Sequence, residues 1–118
     1  MKAQGVWDQV AVQSLSEFGR TMTTNGRGTD HAWGGNHFLI GGDVNGGRIH
    51  GQYAEPRIDG PQSVSSTGVM LPTSPWEAIW KPLAQWLGVE ESQLDNVMPN
   101  LHEFSEEHLY ARGDVFES

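Results

Sequence analysis

Hydrophobic positions along the chain come in short runs separated by long polar stretches. Residues 6–15 (VWDQVAVQSL) carry β-branched side chains at Val6, Val10 and Val12, and the part from Val10 predicts a strand buried on at least one face. Ser16-Glu17-Phe18-Gly19 breaks the run. From there to Asn36 the residues are polar and punctuated by Gly19, Asn25, Gly26, Gly28, Gly34 and Gly35, so the pattern predicts one long loop leaving the strand end. Loops of that length in a small domain are functional or disordered.

His37-Phe38-Leu39-Ile40 is the next apolar run, closed by Gly41-Gly42, and Arg48-Ile49-His50 follows Asp43-Val44-Asn45-Gly46-Gly47. An Asn-Gly step between two extended runs predicts a hairpin there. Residues 52–67 read as a polar surface excursion and 69–71 as a brief extended piece. A helix is predicted after Thr73-Ser74-Pro75, with Thr73 or Ser74 as N-cap, Pro75 at its first position and Glu77 in its first turn. Ile79, Leu83, Trp86 and Leu87 share one face of it, Gly88 ends it, and Pro82 predicts a kink or a second helix start. A short second helix over about 90–97 stops at Met98-Pro99. This order of strand, long Gly-rich loop, hairpin and one or two helices predicts an α/β or α+β fold in a single domain over 1–104. The acidic tail, 105–118, is expected to fray.

The totals narrow the function classes. With 118 residues and 15 glycines the core is modest. A formal net charge of -8, with only seven Lys and Arg, excludes a nucleic-acid footprint. There is no cysteine, which removes disulfides, thiolate metal sites and a Cys nucleophile. No apolar run approaches the ~20 residues of a membrane helix. Ser14 and Ser16 lack the surroundings of a nucleophile elbow.

Candidate chemistry concentrates in residues 16–36. Glu17, Asp30, His31 and the adjoining His37 offer carboxylate and imidazole ligands for a divalent metal, although no strict ligand spacing joins them. Each also has a plain alternative. Glu17 and Arg20 form an exposed ion pair, Asp30 caps a turn, and His37 opens an apolar strand as a half-buried residue. Arg20, next to Gly19 at a strand end, is placed to grip a phosphate or sulfate, with the surface-arginine reading equally open. Of five tryptophans, those at 76, 80 and 86 read as helix core, and Trp33 stands out in the polar stretch.

The run SEFGRT, then NGRGTDHAWGGNHFLIGGDVNGGRIHGQY, and later VMLPTSPWEAIWKPLAQWLGVEESQLDNVMPNLHEF resemble, in that order, the C-terminal part of the uncharacterised family called domain of unknown function 1501. The likeness extends over about residues 2–104. It implies kinship with the alkaline phosphatase and sulfatase superfamily, an α/β core with metal ligands at strand ends, and an exported, periplasmic protein longer than this chain. The superfamily's Asp-His-Gly signature looks like Glu17-Phe18-Gly19 here, so Glu17 keeps a carboxylate while Phe18 replaces the imidazole. The resemblance implies Glu17, Asp30 and His31 on the metal side, with Zn, Mg, Mn or Ca as cofactor. Arg20, Asn36 and His37 fall on the substrate-anion side. It assigns no catalytic residue to this chain, because nucleophile and first ligands come from N-terminal strands outside it. The expectation is therefore a fragment of a phosphate or sulfate ester hydrolase, inactive alone, whose partner is the missing N-terminal portion. A non-catalytic module that self-associates as a homo-oligomer is the alternative, since Val10 to Leu15 would leave an unpaired strand edge.

Overall fold

The computed structural model describes residues 1–118. It is mixed α/β, with four short strands in two small antiparallel sheets and three helices. The chain groups into two compact units. The first comprises residues 1–12, 39–48 and 74–118, and the second 13–38 and 49–73.

In the first unit, which holds all of β1 (Ala11–Gln13) but its last residue, β1 pairs with β2 (Leu39–Gly41). The apolar run at 39–40 was expected to turn back onto Arg48-Ile49-His50. Instead it takes β1 as its partner, and the Asn45-Gly46 segment makes no hairpin. Val44 forms a bridge to Phe116, and Asn45 N–H donates to Val115 O at 2.9 Å. The C-terminal residues have thus paired with the segment that the turn signal reserved for the turn itself.

Helix α1 (Glu77–Trp86) forms in the expected stretch, but its buried positions are Ala78, Lys81 and Pro82, while Leu87, past its end, and Trp80 are exposed where both were expected in the core. Neither Thr73 nor Ser74 caps it, since the Ser74 hydroxyl bonds Tyr110 OH at 3.0 Å. Pro82 sits inside the helix, where its missing N–H leaves the carbonyl of Ala78 without its usual partner. That carbonyl accepts from Tyr110 N–H at 3.3 Å, so the buried polar group is satisfied from another segment. Lys81 on the same helix is buried along its stem, and its ammonium pairs with Glu106 at 2.9 Å and Glu91 at 3.7 Å. The expected second helix is a 3-10 turn, Glu91–Gln93, followed by α2 (Leu94–Val97).

Residues 105–118 do not fray. They hold α3 (Arg112–Val115), and Val115 and Phe116 are each 1 % exposed. Phe116 stacks on Trp86 with ring centroids 5.1 Å apart, and Glu117 N–H donates to Asp43 O at 2.9 Å. Asp43 also accepts from Trp86 Nε1 at 2.8 Å and from the Ser118 hydroxyl. Acidic composition suggested a solvated tail, but two apolar residues at its end outweigh it, because burial of large side chains dominates the local energetics.

In the second unit, residues 16–36 contain an antiparallel hairpin where a loop was expected: β3 (Gly19–Thr24) and β4 (Thr29–Ala32), joined through residues 25–28. Thr21, Thr23, Thr24 and Thr29 are β-branched and suit a pleated surface, while Gly26 (φ +89°) relieves the turn. Asn25 N–H and Thr24 Oγ1 both donate to Gly28 O, at 2.9 and 2.7 Å. Along the other edge of β3, Met22 and Thr23 N–H donate to Gly68 O and Thr67 O. Gly34 N–H donates to Met70 O at 2.9 Å.

Candidate functional site: one face of the hairpin

The register of the hairpin brings the candidate residues to one face. Gly19 lies opposite Ala32 and Arg20 opposite His31, with a bulge between Arg20 and Thr24. Side chains directly opposite across an antiparallel pair share a face, as do residues two apart along a strand. Phe18, two before Arg20, therefore reaches His31: their rings stack with centroids 3.6 Å apart and planes 13° apart. The Arg20 guanidinium carbon lies 5.0 Å from the Phe18 centroid, a cation–π distance. One Arg20 nitrogen donates to Thr29 O at 2.8 Å, which aims the guanidinium along β4.

The backbone supports that face closely. A Cβ on Gly19 would collide with the Gly34 carbonyl oxygen, so glycine is required where these segments cross. Gly35 follows alongside, its would-be Cβ 3.9 Å from Gly19 Cα and 3.7 Å from His37 Nε2. His37 is thereby set next to the segment that carries Arg20. Asn36 is exposed in the same connection.

The six sequence candidates divide. Arg20 and His31 are brought together, and His37 lies beside Gly35. Asp30 and His31 are consecutive on β4 and so project to opposite faces. The Asp30 carboxylate accepts from Asn25 Nδ2 at 2.6 Å. Glu17 is exposed ahead of β3 and forms no ion pair with Arg20. No three His, Asp or Glu side chains of the chain converge as a metal-holding group, so Glu17, Asp30 and His31 do not fit one ion by themselves. Phe18 stands where the resemblance implies a lost imidazole ligand, and the structure makes it the ring against which His31 and Arg20 pack. The spacing Phe18-x-Arg20 was the available signal, once position 19 is recognised as the start of a strand. Trp33, beyond the hairpin, is 68 % exposed.

Residues 1–66 match the family described as Protein of unknown function (DUF1501). The chain belongs to that family. Phe18, Gly19, Arg20, His31 and His37 all fall within the part of the DUF1501 chain that matches. No curated protein and no solved structure matches the chain. No helix is long and apolar enough to cross a membrane.

Proposed function

We propose that the Arg20–His31 face of the hairpin is one wall of an oxyanion site, in a segment of a sulfatase-like hydrolase of phosphate or sulfate esters. The observation that carries this reading is the opposition of Arg20 and His31 across the hairpin with Phe18 packed against both. A guanidinium offers a planar fork of donors suited to two oxygens of such an anion. The imidazole adds a donor from the second strand, and the phenyl ring keeps both side chains in place. Groups held in advance where negative charge develops are what stabilise an ester-cleaving transition state. Asn36 and His37 are assigned to the same anion.

The nucleophile is assigned to parts of a longer protein, so the chain alone is inactive. A divalent cation (Zn, Mg, Mn or Ca) belongs to the proposal only for that longer protein, where other strands add ligands to Glu17, Asp30 or His31. No step of the proposed chemistry runs through a metal held by this chain. The kinship with alkaline phosphatases and sulfatases and the exported, periplasmic location are proposed with it.

Titration of the isotope-labelled chain with inorganic sulfate and with phosphate, followed by NMR, tests the anion wall. Saturable shifts of the Arg20 and His31 side chains are expected, and Arg20→Ala should abolish the shift at His31. Shifts no larger than those from chloride at equal ionic strength would sink the reading. Turnover of an aryl phosphate or aryl sulfate by the isolated chain, lost in Glu17→Ala, would overturn its inactivity.

A second reading is a non-catalytic module that self-associates. It is favoured by Trp33 and Phe38, 68 % and 58 % exposed, since large exposed aromatics suit a protein interface. Light scattering decides it: a strict monomer at high concentration counts against self-association.

A further inference from the structure

The chain contains two Asn-Gly steps, and the structure holds them differently. Asn45 is half-buried, its own N–H donates to Val115 O at 2.9 Å, and Gly46 N–H donates to Val44 O at 2.8 Å. Both backbone amides are thus tied into the segment that receives the C-terminal residues. Asn25 is exposed at the tip of the hairpin, and three hydrogen bonds surround its side chain and the next amide. Its Oδ1 accepts from Arg27 N–H at 2.9 Å, its Nδ2 donates to Asp30 Oδ1 at 2.6 Å, and Gly26 N–H donates to Thr24 Oγ1 at 3.1 Å.

We propose that Asn25 is a site of spontaneous deamidation, chosen over Asn45 by the hairpin tip, and that the reaction unlocks the hairpin. The Gly26 amide is held only by the Thr24 hydroxyl at the exposed tip, whereas that of Gly46 is held by a backbone carbonyl. When the hydroxyl bond opens, solvent hydroxide removes the Gly26 amide proton, and Gly26 N attacks Asn25 Cγ. As the N–Cγ bond forms, negative charge collects on Oδ1, where the Arg27 N–H already points; a donor aimed in advance at a developing oxyanion lowers the barrier. The Cγ–Nδ2 bond then breaks, and the nitrogen takes a proton from water and leaves as ammonia. Water adds to one of the two carbonyls of the resulting succinimide, giving aspartate or isoaspartate. The balance is one water consumed and one ammonia released, with no oxidant or reductant. Glycine at position 26 leaves the attacking nitrogen unshielded by any side chain.

The product no longer fits its surroundings. The amide that donates to Asp30 becomes a carboxylate facing a carboxylate, so a hydrogen bond is replaced by like-charge repulsion. The isoaspartyl form also lengthens the backbone inside the turn that sets Thr24 opposite Thr29. Arg20 and His31 are paired farther along the same two strands, beyond the bulge, so opening the hairpin from its tip would also loosen that face, whatever it binds.

The test is peptide mapping by mass spectrometry after ageing the full chain in mildly alkaline buffer at body temperature. The peptide bearing Asn25 is expected to convert to aspartyl and isoaspartyl forms several-fold faster than the one bearing Asn45. Both steps precede glycine, so intrinsic reactivity is matched, and equal or slower conversion at Asn25 overturns the proposal. Asn25→Asp, as a stable stand-in for the product, should lower the melting temperature, and adding Asp30→Asn should recover most of the loss by restoring a donor and an acceptor. A melting temperature unchanged in Asn25→Asp would overturn the unlocking.

Discussion

At position 19 a single methyl group decides whether two segments can cross. A Cβ there would meet the Gly34 carbonyl oxygen, and the obstacle is backbone, which cannot rotate away. Gly19→Ala should therefore destabilise the chain by about 1–3 kcal/mol, the usual cost of forced overpacking. Gly34→Ala should cost less, because its Cβ would stand 3.0 Å from Met70 O and needs only a small shift. Urea unfolding of both variants checks the order. Asp43 gives a pH-dependent counterpart. The Ser118 hydroxyl, followed by the Trp86 indole N–H and the charge of Arg112, holds its carboxyl below the ordinary value of 3.8. A carboxyl depressed in the folded state adds stability above its unfolded pKa, and that stability is lost as pH falls through the folded value. Wild type should exceed Asp43→Asn in denaturant midpoint at neutral pH, and the gap should close below about pH 3.8 as Asp43 protonates. A gap independent of pH would show that the carboxylate charge is irrelevant. Individual residues of the site were legible in the same way: Arg20 and His31 carry their chemistry in their side chains. Their pairing was not, because it depends on a turn that begins five residues beyond Arg20 and on the bulge that shifts the register between the two.

At the scale of elements, the two Asn-Gly steps explain both a success and a failure of the turn rule. Its chemistry holds at residues 25–26, where flanking threonines can pair, although glycine density there suggested a loop. It fails at 45–46, because residues 115–116 compete for the backbone of 44–45, and no local pattern announces a partner so distant in sequence. Helix α1 was legible because its apolar spacing is local. Its proline was legible as a defect, while the compensation came from Tyr110. Proline inside a helix ordinarily costs ~3 kcal/mol, part of it the unmet carbonyl four residues earlier. Here Tyr110 N–H meets that carbonyl and Pro82 is itself buried. Pro82→Ala should accordingly change stability by less than ~1 kcal/mol. A gain near the full ~3 kcal/mol in thermal unfolding would mean the Tyr110 bond contributes nothing.

Across the whole molecule, apolar burial is distributed unevenly. Ala78, Leu94, Met98, Leu101, Leu109, Val115 and Phe116 are the buried hydrophobic residues, and every one lies in the unit that contains α1. The unit containing the hairpin buries Thr21 and the glycines at 60 and 68, and is held by backbone hydrogen bonds and close glycine crossings. A net backbone hydrogen bond stabilises by only about 0.5–1.5 kcal/mol, whereas a fully buried large apolar side chain contributes about 1.5–3 kcal/mol. Local opening should therefore require less free energy in the hairpin than in α1. Native-state hydrogen exchange reads this directly. Amides of β3 and β4 should exchange through local opening well before those of α1, whose protection should approach that of global unfolding. Deleting the Phe116 side chain by Phe116→Ala should cost about 3–5 kcal/mol and should erase protection in α1, which stacks Trp86 on that ring. Equal protection in hairpin and helix before the substitution would show that stability is spread evenly and that the hairpin draws on more than its own hydrogen bonds. Low local stability is also what lets a binding face adjust to a ligand, so sulfate added at saturation should slow exchange in β3 and β4 ahead of any change in α1.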